Sequence, residues 1–331
     1  MDALPVVERN DLPYKSEVTS VFNGQETGVM HACGHDTHVA ILMGVAEVLS
    51  KNRNFPGTVK FIFQPAEEGP PPGEEGGAKL MVKEGVLQNP KVDAIFGLHI
   101  SSKSTAGQVL LKPGSIMAAV DEFRIDLTGV QTHGSTPWTG IDPIVTASQM
   151  INSIQTIVSR SMPLTTAAAV VTIGSIHGGV RSNIIPEKLY MLGTIRTLDN
   201  SMRATVLKRL DEIVQNVAAA NNVKAYVTFM NSYPVTYNDP ELYEKMLPTL
   251  KRVCGADNVN YMDAITGAED FSFFQKEVPG VYFFIGGSSE GMDLDMVAPH
   301  HTPDFYVDDS AIETGVVSMT SLTMDYFTKG L

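Results

Sequence analysis

The sequence predicts an α/β protein with a smaller α+β unit inserted into a catalytic α/β domain. Helical and strand patterns alternate between Gly34 and Ile100, which favours a mostly parallel central sheet. The block from 116 to 232 instead indicates an antiparallel sheet with two long helices. At 331 residues the chain also exceeds the usual size of one hydrophobic core. We therefore expect residues 1–115 and 233–331 to form the α/β domain and residues 116–232 to form the insert.

In chain order, apolar residues at helical or strand spacing predict the elements of the α/β domain. Before the insert these are a helix in VAILMGVAEVLSKN, a strand in VKFIFQ, a helix in AKLMVKEGVL and a strand in VDAIFGLHI. After the insert they are a helix in DPELYEKMLPTLKRV, a strand in GVYFFIGG and a helix in SAIETGVVSMTSLTMDYF.

The insert contains alternating, half-exposed strand patterns and two amphipathic helical patterns. The strands are predicted in AAVDEFRIDLTGV, AAAVVTIGSIHGG, KLYMLGTIRTL and VKAYVTFMNSY, and the helices in DPIVTASQMINSIQTIVSR and MRATVLKRLDEIVQNVAAANN. The resulting expectation is an antiparallel sheet backed by two helices.

Composition and charge exclude several classes of protein. Hydrophobic residues make up 43% of the chain and charged residues 18%, which is ordinary for a folded soluble protein. The net charge of −13 comes without a basic block, so nucleic acid is not an expected partner. No apolar run suggests a membrane span, and no leader is visible. A cytoplasmic protein is expected if nothing precedes Met1, and a secreted or periplasmic one if an upstream signal is missing.

The tract HACGHDTH, residues 31–38, holds three histidines, a cysteine and an aspartate. Taken alone, it is compatible with a metal site, a thiol nucleophile beside its base, or a polar loop. Other clusters follow predicted strands: Glu67 and Glu68 after VKFIFQ, His99 in GLHI, and His300 and His301 after GVYFFIGG. Each of these clusters alone is weak evidence for a metal site, because paired carboxylates usually face water and a lone histidine is usually a core residue. Their joint occurrence near strand ends favours a metal site.

The number of candidate donors points to more than one ion. A tetrahedral zinc takes about four ligands, whereas these tracts offer five or more. Two metal ions that share a bridging ligand would use five or more donors. A glutamate that binds neither ion would then take the proton of the attacking water. Imidazole, thiolate and carboxylate together suit zinc, while manganese, cobalt or nickel stay open.

The tracts MDALP, HACGHD, PAEEG, GLHI, GAEDF and HTPDF, in this order along essentially the whole chain, resemble those of the M20 family of metallopeptidases and amidohydrolases. The most similar branch contains aminoacylases, hippurate hydrolases and indoleacetyl-amino acid hydrolases. The resemblance implies the metal ligands Cys33, His35, Glu68, His99 and His301. It also implies that Glu67 is the general acid/base, that Asp2 orients a ligand and that His300 is only a neighbour. We expect Cys33 to bridge the two ions.

The insert resembles the lid, or dimerisation, domain of the same family. QTHGSTPW resembles the segment whose histidine reaches across a homodimer to polarise the scissile carbonyl, which implies this role for His133. RSNIIPE and GTIRTLD resemble substrate-binding segments, which makes Asn183 and Arg196 candidates for holding the amide oxygen and the carboxylate. Without the resemblance, His133 would be interpreted as a loop histidine, and Arg196 equally well as an exposed strand-end charge.

Family members usually carry a helix and strands before the MDALP tract, where this chain has Met1. We therefore expect part of the catalytic domain to be missing. The predicted function is metal-dependent hydrolysis of N-acyl or N-aroyl amino acids. The alternatives are a dipeptidase or carboxypeptidase of the same mechanism, and a truncated, inactive binding or assembly protein. The sequence leaves the acyl group, the amino acid side chain and the metal open.

Overall fold

The computed structural model describes residues 2–71 and 73–329, which form helices and strands in alternation. The helices are α1 (His35–Lys51), α2 (Gly77–Lys83), α3 (Pro143–Ser161), α4 (Asn200–Ala220), α5 (Pro240–Cys254), α6 (Ser272–Gln275) and α7 (Ser310–Lys329), with 3-10 turns at Pro137–Thr139 and Ala256–Asn258. The strands are β1 (Thr19–Phe22), β2 (Gln25–Gly28), β3 (Ile95–Thr105), β4 (Val109–Leu111), β5 (Gly114–Met117), β6 (Ala119–Thr128), β7 (Thr132–His133), β8 (Ala169–Gly178), β9 (Ile184–Ile185), β10 (Lys188–Thr197), β11 (Lys224–Tyr233), β12 (Thr236–Asn238), β13 (Val259–Tyr261) and β14 (Gly280–Ser288).

The chain divides into two compact units. The first comprises residues 1–116, 237–263 and 270–331, and the second comprises residues 117–236 and 264–269. Each unit has its own cluster of buried apolar side chains.

The first unit is built on a four-stranded sheet with the order β13–β4–β14–β3. β14 runs parallel to β3 and β13 runs parallel to β4, whereas β14 and β4 are antiparallel. Every residue of β14 is buried, as expected for a central strand covered on both faces. Ile41 of α1, Phe283 of β14 and Leu322 of α7 belong to one apolar core. The predicted α/β class is therefore confirmed, with a mixed sheet.

The predicted strand in VKFIFQ, residues 59–64, is not present. A strand requires a hydrogen-bonded neighbour, and none of the described residues pairs with this segment. Val59 and Phe61 instead pack against the apolar core as an irregular segment. Lys60 secures the segment by donating hydrogen bonds to the backbone carbonyl oxygens of Val86, at 2.7 Å, and Gln88, at 2.8 Å.

The position of His99 also differs from the prediction of a strand end. β3 continues to Thr105, and His99 lies inside it, opposite Phe284 of β14. The strand is longer than its apolar run because the ladder with β14 continues past the histidine. His99 is consequently held within the ladder that β3 forms with β14.

The second unit is an antiparallel sheet with the order β11–β6–β10–β8, and α3 and α4 pack against it. Phe123, Ile154 and Leu210 are fully buried in its core. Asp142 and Asp199 cap the two helices by accepting hydrogen bonds from the first backbone N–H groups. Among the described residues, no helix is both long and apolar enough to cross a lipid bilayer.

Candidate metal centre

The start of α1 places Cys33 and His35 next to each other in the interior of the first unit. Gly34 between them has φ 84°, and a Cβ at this position would lie 2.4 Å from Cγ2 of Ile100. Only glycine tolerates both the backbone conformation and the close approach. The turn therefore leaves Cys33 just before the helix and His35 on its first turn, both buried.

Side chains from four separate segments converge on the sulphur of Cys33. Its Sγ lies 3.5 Å from Nε2 of His99 and 3.3 Å from Nε2 of His301. Nε2 of His301 lies 3.0 Å from Oε1 of Glu68. One ligand atom from each of Cys33, His35 and His99 fits within 4.8 Å of the others, and the same holds for Cys33, Glu68 and His301. The two donor groups thus share Cys33.

His35 and His99 direct their Nε2 atoms towards this cluster. Nδ1 of His35 lies 3.3 Å from the carboxylate of Asp2, and Nδ1 of His99 lies 2.6 Å from the carbonyl of Ile100. Both oxygens can only accept, so each Nδ1 carries a proton. Burial, followed by the charge of His300, lowers the pKa of His99 to about 3. Its ring is therefore neutral, which is the form that binds a metal.

Asp2 connects the two donor groups. Its carboxylate accepts from His35 and, at 2.7 Å, from the backbone N–H of Glu68. Burial by itself would raise the pKa of Asp2, but these hydrogen bonds hold it well below its usual value. A permanently charged carboxylate behind a histidine ligand is the usual way in which proteins fix the ring of that ligand.

The two glutamates follow a strained turn. Ala66 has φ 54°, a conformation that costs energy for a residue other than glycine. Beyond it, Oε2 of Glu67 lies 3.7 Å from Nε2 of His35, and Glu68 faces His301. Burial would raise the pKa of Glu68, but the hydrogen bond from His301 lowers it, so the side chain is a carboxylate.

The loop that carries His301 is fixed by its backbone. His301 itself has φ 64°, and its N–H donates to the carbonyl of Ala32 at 2.8 Å. Further along, Arg9 forms an ion pair with Asp304, and the side chain of Asn10 donates to the carbonyl of Phe305 at 2.6 Å. The N-terminal segment therefore holds this loop against the start of α1.

Two histidines near the centre have roles that the sequence did not indicate. Nε2 of His38 accepts from the backbone N–H of Ile100 at 2.9 Å, and its ring packs edge-on against His99 at 4.6 Å. The sequence signal that could have indicated His38 is its position one helical turn after His35. His300 lies beside the cluster, with Nδ1 3.6 Å from Sγ of Cys33.

Asp270, in the tract GAEDF, is a further residue to which the sequence assigned no role. Its buried carboxylate accepts from Nε2 of Gln64 at 2.6 Å and from the N–H of Ala78 at 2.7 Å. A Cβ on Gly77 would lie 2.2 Å from the same carboxylate and 3.0 Å from the carbonyl of Ala66. Asp270 therefore ties the segment before the glutamates to the start of α2.

The remaining candidate residues lie in the second unit, where His133 and Asn183 are neighbours. β7 pairs with β9, and the N–H of Gly134 donates to the carbonyl of Asn183 at 2.8 Å. Nδ1 of His133 accepts from the N–H of Ser135 at 3.0 Å, so the proton of the exposed ring is on Nε2. Arg196 lies on β10. Burial lowers its pKa, while the charge of nearby Glu122 raises it.

Comparison with known proteins identifies the family. The chain matches Peptidase family M20/M25/M40 over residues 1–325. The chain belongs to the M20 family. It is 39% identical over 331 residues to "Thermostable carboxypeptidase 2" of Saccharolobus solfataricus, covering 99% of this chain and 79% of that protein. It is 36% identical to "N-acetyl-L-cysteine deacetylase" of Bacillus subtilis, covering 94% of this chain and 69% of that protein.

A solved M20 structure supports the nature of the centre. The Bacillus subtilis YXEP protein, described as a dinuclear metal binding peptidase, has a TM-score of 0.77 and 31% identity over 99% of this chain and 79% of its own. The donors found here fit such a centre, because a thiol, carboxylates and imidazoles within reach of one another suit divalent transition metals. The protein is therefore a hydrolytic enzyme of the M20 family, with support for two divalent ions and for small-molecule or peptide substrates.

Replacing Asp270 with Asn should destabilise the segment that carries the glutamates. Gln64 and Ala78 both donate, so the amide NH₂ of Asn would face one of these donors at a cost of about 1–3 kcal/mol. We expect a lower free energy of unfolding and weaker binding of added zinc. Asp325→Asn is the matched control, since Asp325 accepts from Thr249 and Arg252 on α5. Equal zinc affinity in both variants would contradict the role of Asp270.

Proposed function

We propose that this protein hydrolyses the amide bond of N-acyl or N-aroyl amino acids. The observation that carries the proposal is the pair of donor groups that share Cys33, with the carboxylate of Glu67 beside them. Two-metal hydrolases use such centres to hold both the attacking water and the substrate oxygen. The similarity to a protein named as a deacetylase of an N-acetylated amino acid supports the same substrate class.

In this proposal the first unit is the catalytic domain, and its ligands are Cys33, His35, Glu68, His99 and His301, with Cys33 shared. Their mixture of sulphur, nitrogen and oxygen suits zinc, and manganese, cobalt and nickel accept the same donors. When bound, the ions supply Lewis acidity, which polarises the amide carbonyl and makes the attacking water more acidic.

Glu67 acts as the general acid/base. Its side chain is 18% exposed and lies beside His35. Glu67 can therefore reach the donor cluster, and it belongs to neither of the two donor groups that share Cys33. It takes a proton from the attacking water and delivers that proton to the leaving amine. Glu68, which contacts His301, holds a metal instead.

The second unit acts as the lid and supplies substrate contacts. Because His133 carries its proton on Nε2, it offers an N–H to the carbonyl oxygen as negative charge develops there. Asn183, next to the His133 turn, contacts the amide oxygen, and the guanidinium of Arg196 binds the substrate carboxylate.

The second unit also forms a homodimer, through which His133 reaches the site of the partner. β8 is one of the two edge strands of the sheet, and Val170 and Ile176 on it are 40% and 48% exposed. An edge strand with exposed apolar side chains pairs readily with a second copy.

A carboxypeptidase of the same mechanism is the second candidate. The similarity to a protein named as a carboxypeptidase favours it. The two activities share the metal centre and the need for a substrate carboxylate. They differ on the other side of the scissile bond, where a dipeptide carries a charged amine and an N-acyl amino acid carries a neutral acyl group.

Replacing Glu67 with Gln should lower turnover roughly 100- to 10,000-fold, because the amide cannot take up a proton. Zinc content should stay at the wild-type value. In Glu68→Gln, by contrast, zinc content should fall together with activity. Elemental analysis and initial rates measure both. Loss of zinc from Glu67→Gln with retention in Glu68→Gln would mean that the two roles are exchanged.

Replacing His133 with Ala should lower turnover roughly 100-fold or more, because one donor to the developing oxyanion is lost. Zinc content and the sedimentation coefficient should not change. Gln215→Ala, a substitution at an exposed position of α4, serves as the control. An unaltered rate in His133→Ala would remove this residue from the mechanism.

A substrate panel separates the two candidate activities. Zinc-loaded protein should hydrolyse N-acetyl and N-benzoyl amino acids faster than dipeptides with the same C-terminal residue. Blocking the carboxylate as a carboxamide should lower the rate for both substrate classes, since Arg196 then has no anionic partner. Faster cleavage of dipeptides would favour the carboxypeptidase.

A further inference from the structure

His300 presents an N–H group to Cys33, whereas the neutral ring of His99 presents a lone pair. The backbone N–H of Ser102 donates to Nε2 of His300 at 3.2 Å. A backbone amide can only donate, so this Nε2 is unprotonated and the ring proton is on Nδ1. Nδ1 lies 3.6 Å from Sγ of Cys33, within hydrogen-bonding distance for sulphur. The proton is therefore directed at Cys33.

This arrangement is the reverse of that in His35 and His99. In those residues an acceptor holds Nδ1, and Nε2 faces the cluster. In His300 a donor holds Nε2, and the protonated Nδ1 faces the sulphur. The partner of the far nitrogen thus decides whether a histidine offers a lone pair or a proton.

The ring of His300 is held firmly in this orientation. Ser102 is completely buried on β3, three residues after His99. The ring of Phe305 packs against His300 with centroids 4.5 Å apart, and that of His99 packs at 5.4 Å. The same ring proton also faces the backbone of Cys33. It is therefore directed at this one residue, towards both its sulphur and its main chain.

We infer that His300 is a positioning residue that donates a hydrogen bond to the sulphur of Cys33 and so orients the atom shared by both donor groups. This inference rests on the proposed role of Cys33 as a metal ligand. An N–H directed at a thiolate withdraws electron density from it and restricts its rotamer. Loss of that N–H should change the metal–sulphur bond without removing a ligand.

Two substitutions separate the two nitrogens of the ring. His300→Asn keeps an N–H close to the position of Nδ1 but loses the acceptor for Ser102. His300→Gln keeps an acceptor for Ser102 but loses the donor to Cys33. A Cys254→Ser background makes Cys33 the sole thiol, since the chain has two cysteines. His177→Gln is the control for a histidine on the exposed sheet of the second unit.

The experiment is titration of each metal-free protein with Co²⁺. We expect two ions per chain throughout, with a thiolate-to-cobalt charge-transfer band in the near ultraviolet. His300→Gln should shift this band and accelerate release of Co²⁺ to a chelator roughly 10-fold or more. His300→Asn should restore both properties towards those of the unsubstituted protein, and His177→Gln should not change them.

Three outcomes would overturn the inference. Wild-type band and release rate in His300→Gln would show that the donor has no effect on the sulphur. Defects in His300→Asn that exceed those in His300→Gln would show that holding Ser102 is the important contact. Loss of one ion from both would make His300 a ligand.

If His300→Gln does not fold, as measured by circular dichroism, His300→Leu replaces it as the variant without the donor. Absence of the band in the unsubstituted protein would instead contradict the ligand role of Cys33.

Discussion

The centre depends on the orientation of polar groups around one buried sulphur. Cys33 is only 8% exposed, and the side chains around it come from segments far apart in the chain. Such a cluster is costly unless each member has a defined partner, because buried polar groups without hydrogen bonds are destabilising. The backbone supplies much of this order. Ala32 accepts from the N–H of His301, Ile100 accepts from His99, and Asp2 joins His35 to the backbone of Glu68.

Backbone strain accompanies this order. Ala66 and His301 both have positive φ values, and each lies in or next to a segment that carries candidate ligands. Gly34 and Gly77 provide close approaches that a Cβ would prevent. Conformations of this kind persist when the surrounding contacts determine them strongly. Here the carboxylate of Asp270, the backbone of Ala32 and the N-terminal segment supply those contacts. Contacts within the first unit therefore fix the conformations of the loops that carry the candidate ligands.

The second unit has a different kind of architecture, which fits a different task. Its antiparallel sheet buries one face against α3 and α4 and keeps an edge at β8. His133 lies on a short strand pair instead of in the core, and its ring is exposed and oriented by Ser135. A polar group held in this way can meet a substrate or a second chain without a large cost of desolvation. The division between a rigid donor cluster and exposed polar contacts agrees with the proposed division between metal binding and substrate contact.

The sequence by itself determined the α/β class, the antiparallel insert and the residue types of the centre, because apolar periodicity and the motif tracts are local properties of the chain. It also pointed to Cys33 and Glu68 as candidates for one site. Only the tertiary structure decided that VKFIFQ is irregular and that β3 continues past His99, since a strand exists only through its hydrogen-bonded neighbour. The tertiary structure likewise decided that His99 directs Nε2 and His300 directs Nδ1 at the sulphur of Cys33. That choice depends on an acceptor or donor such as Ser102, far away in the chain, which no local pattern encodes.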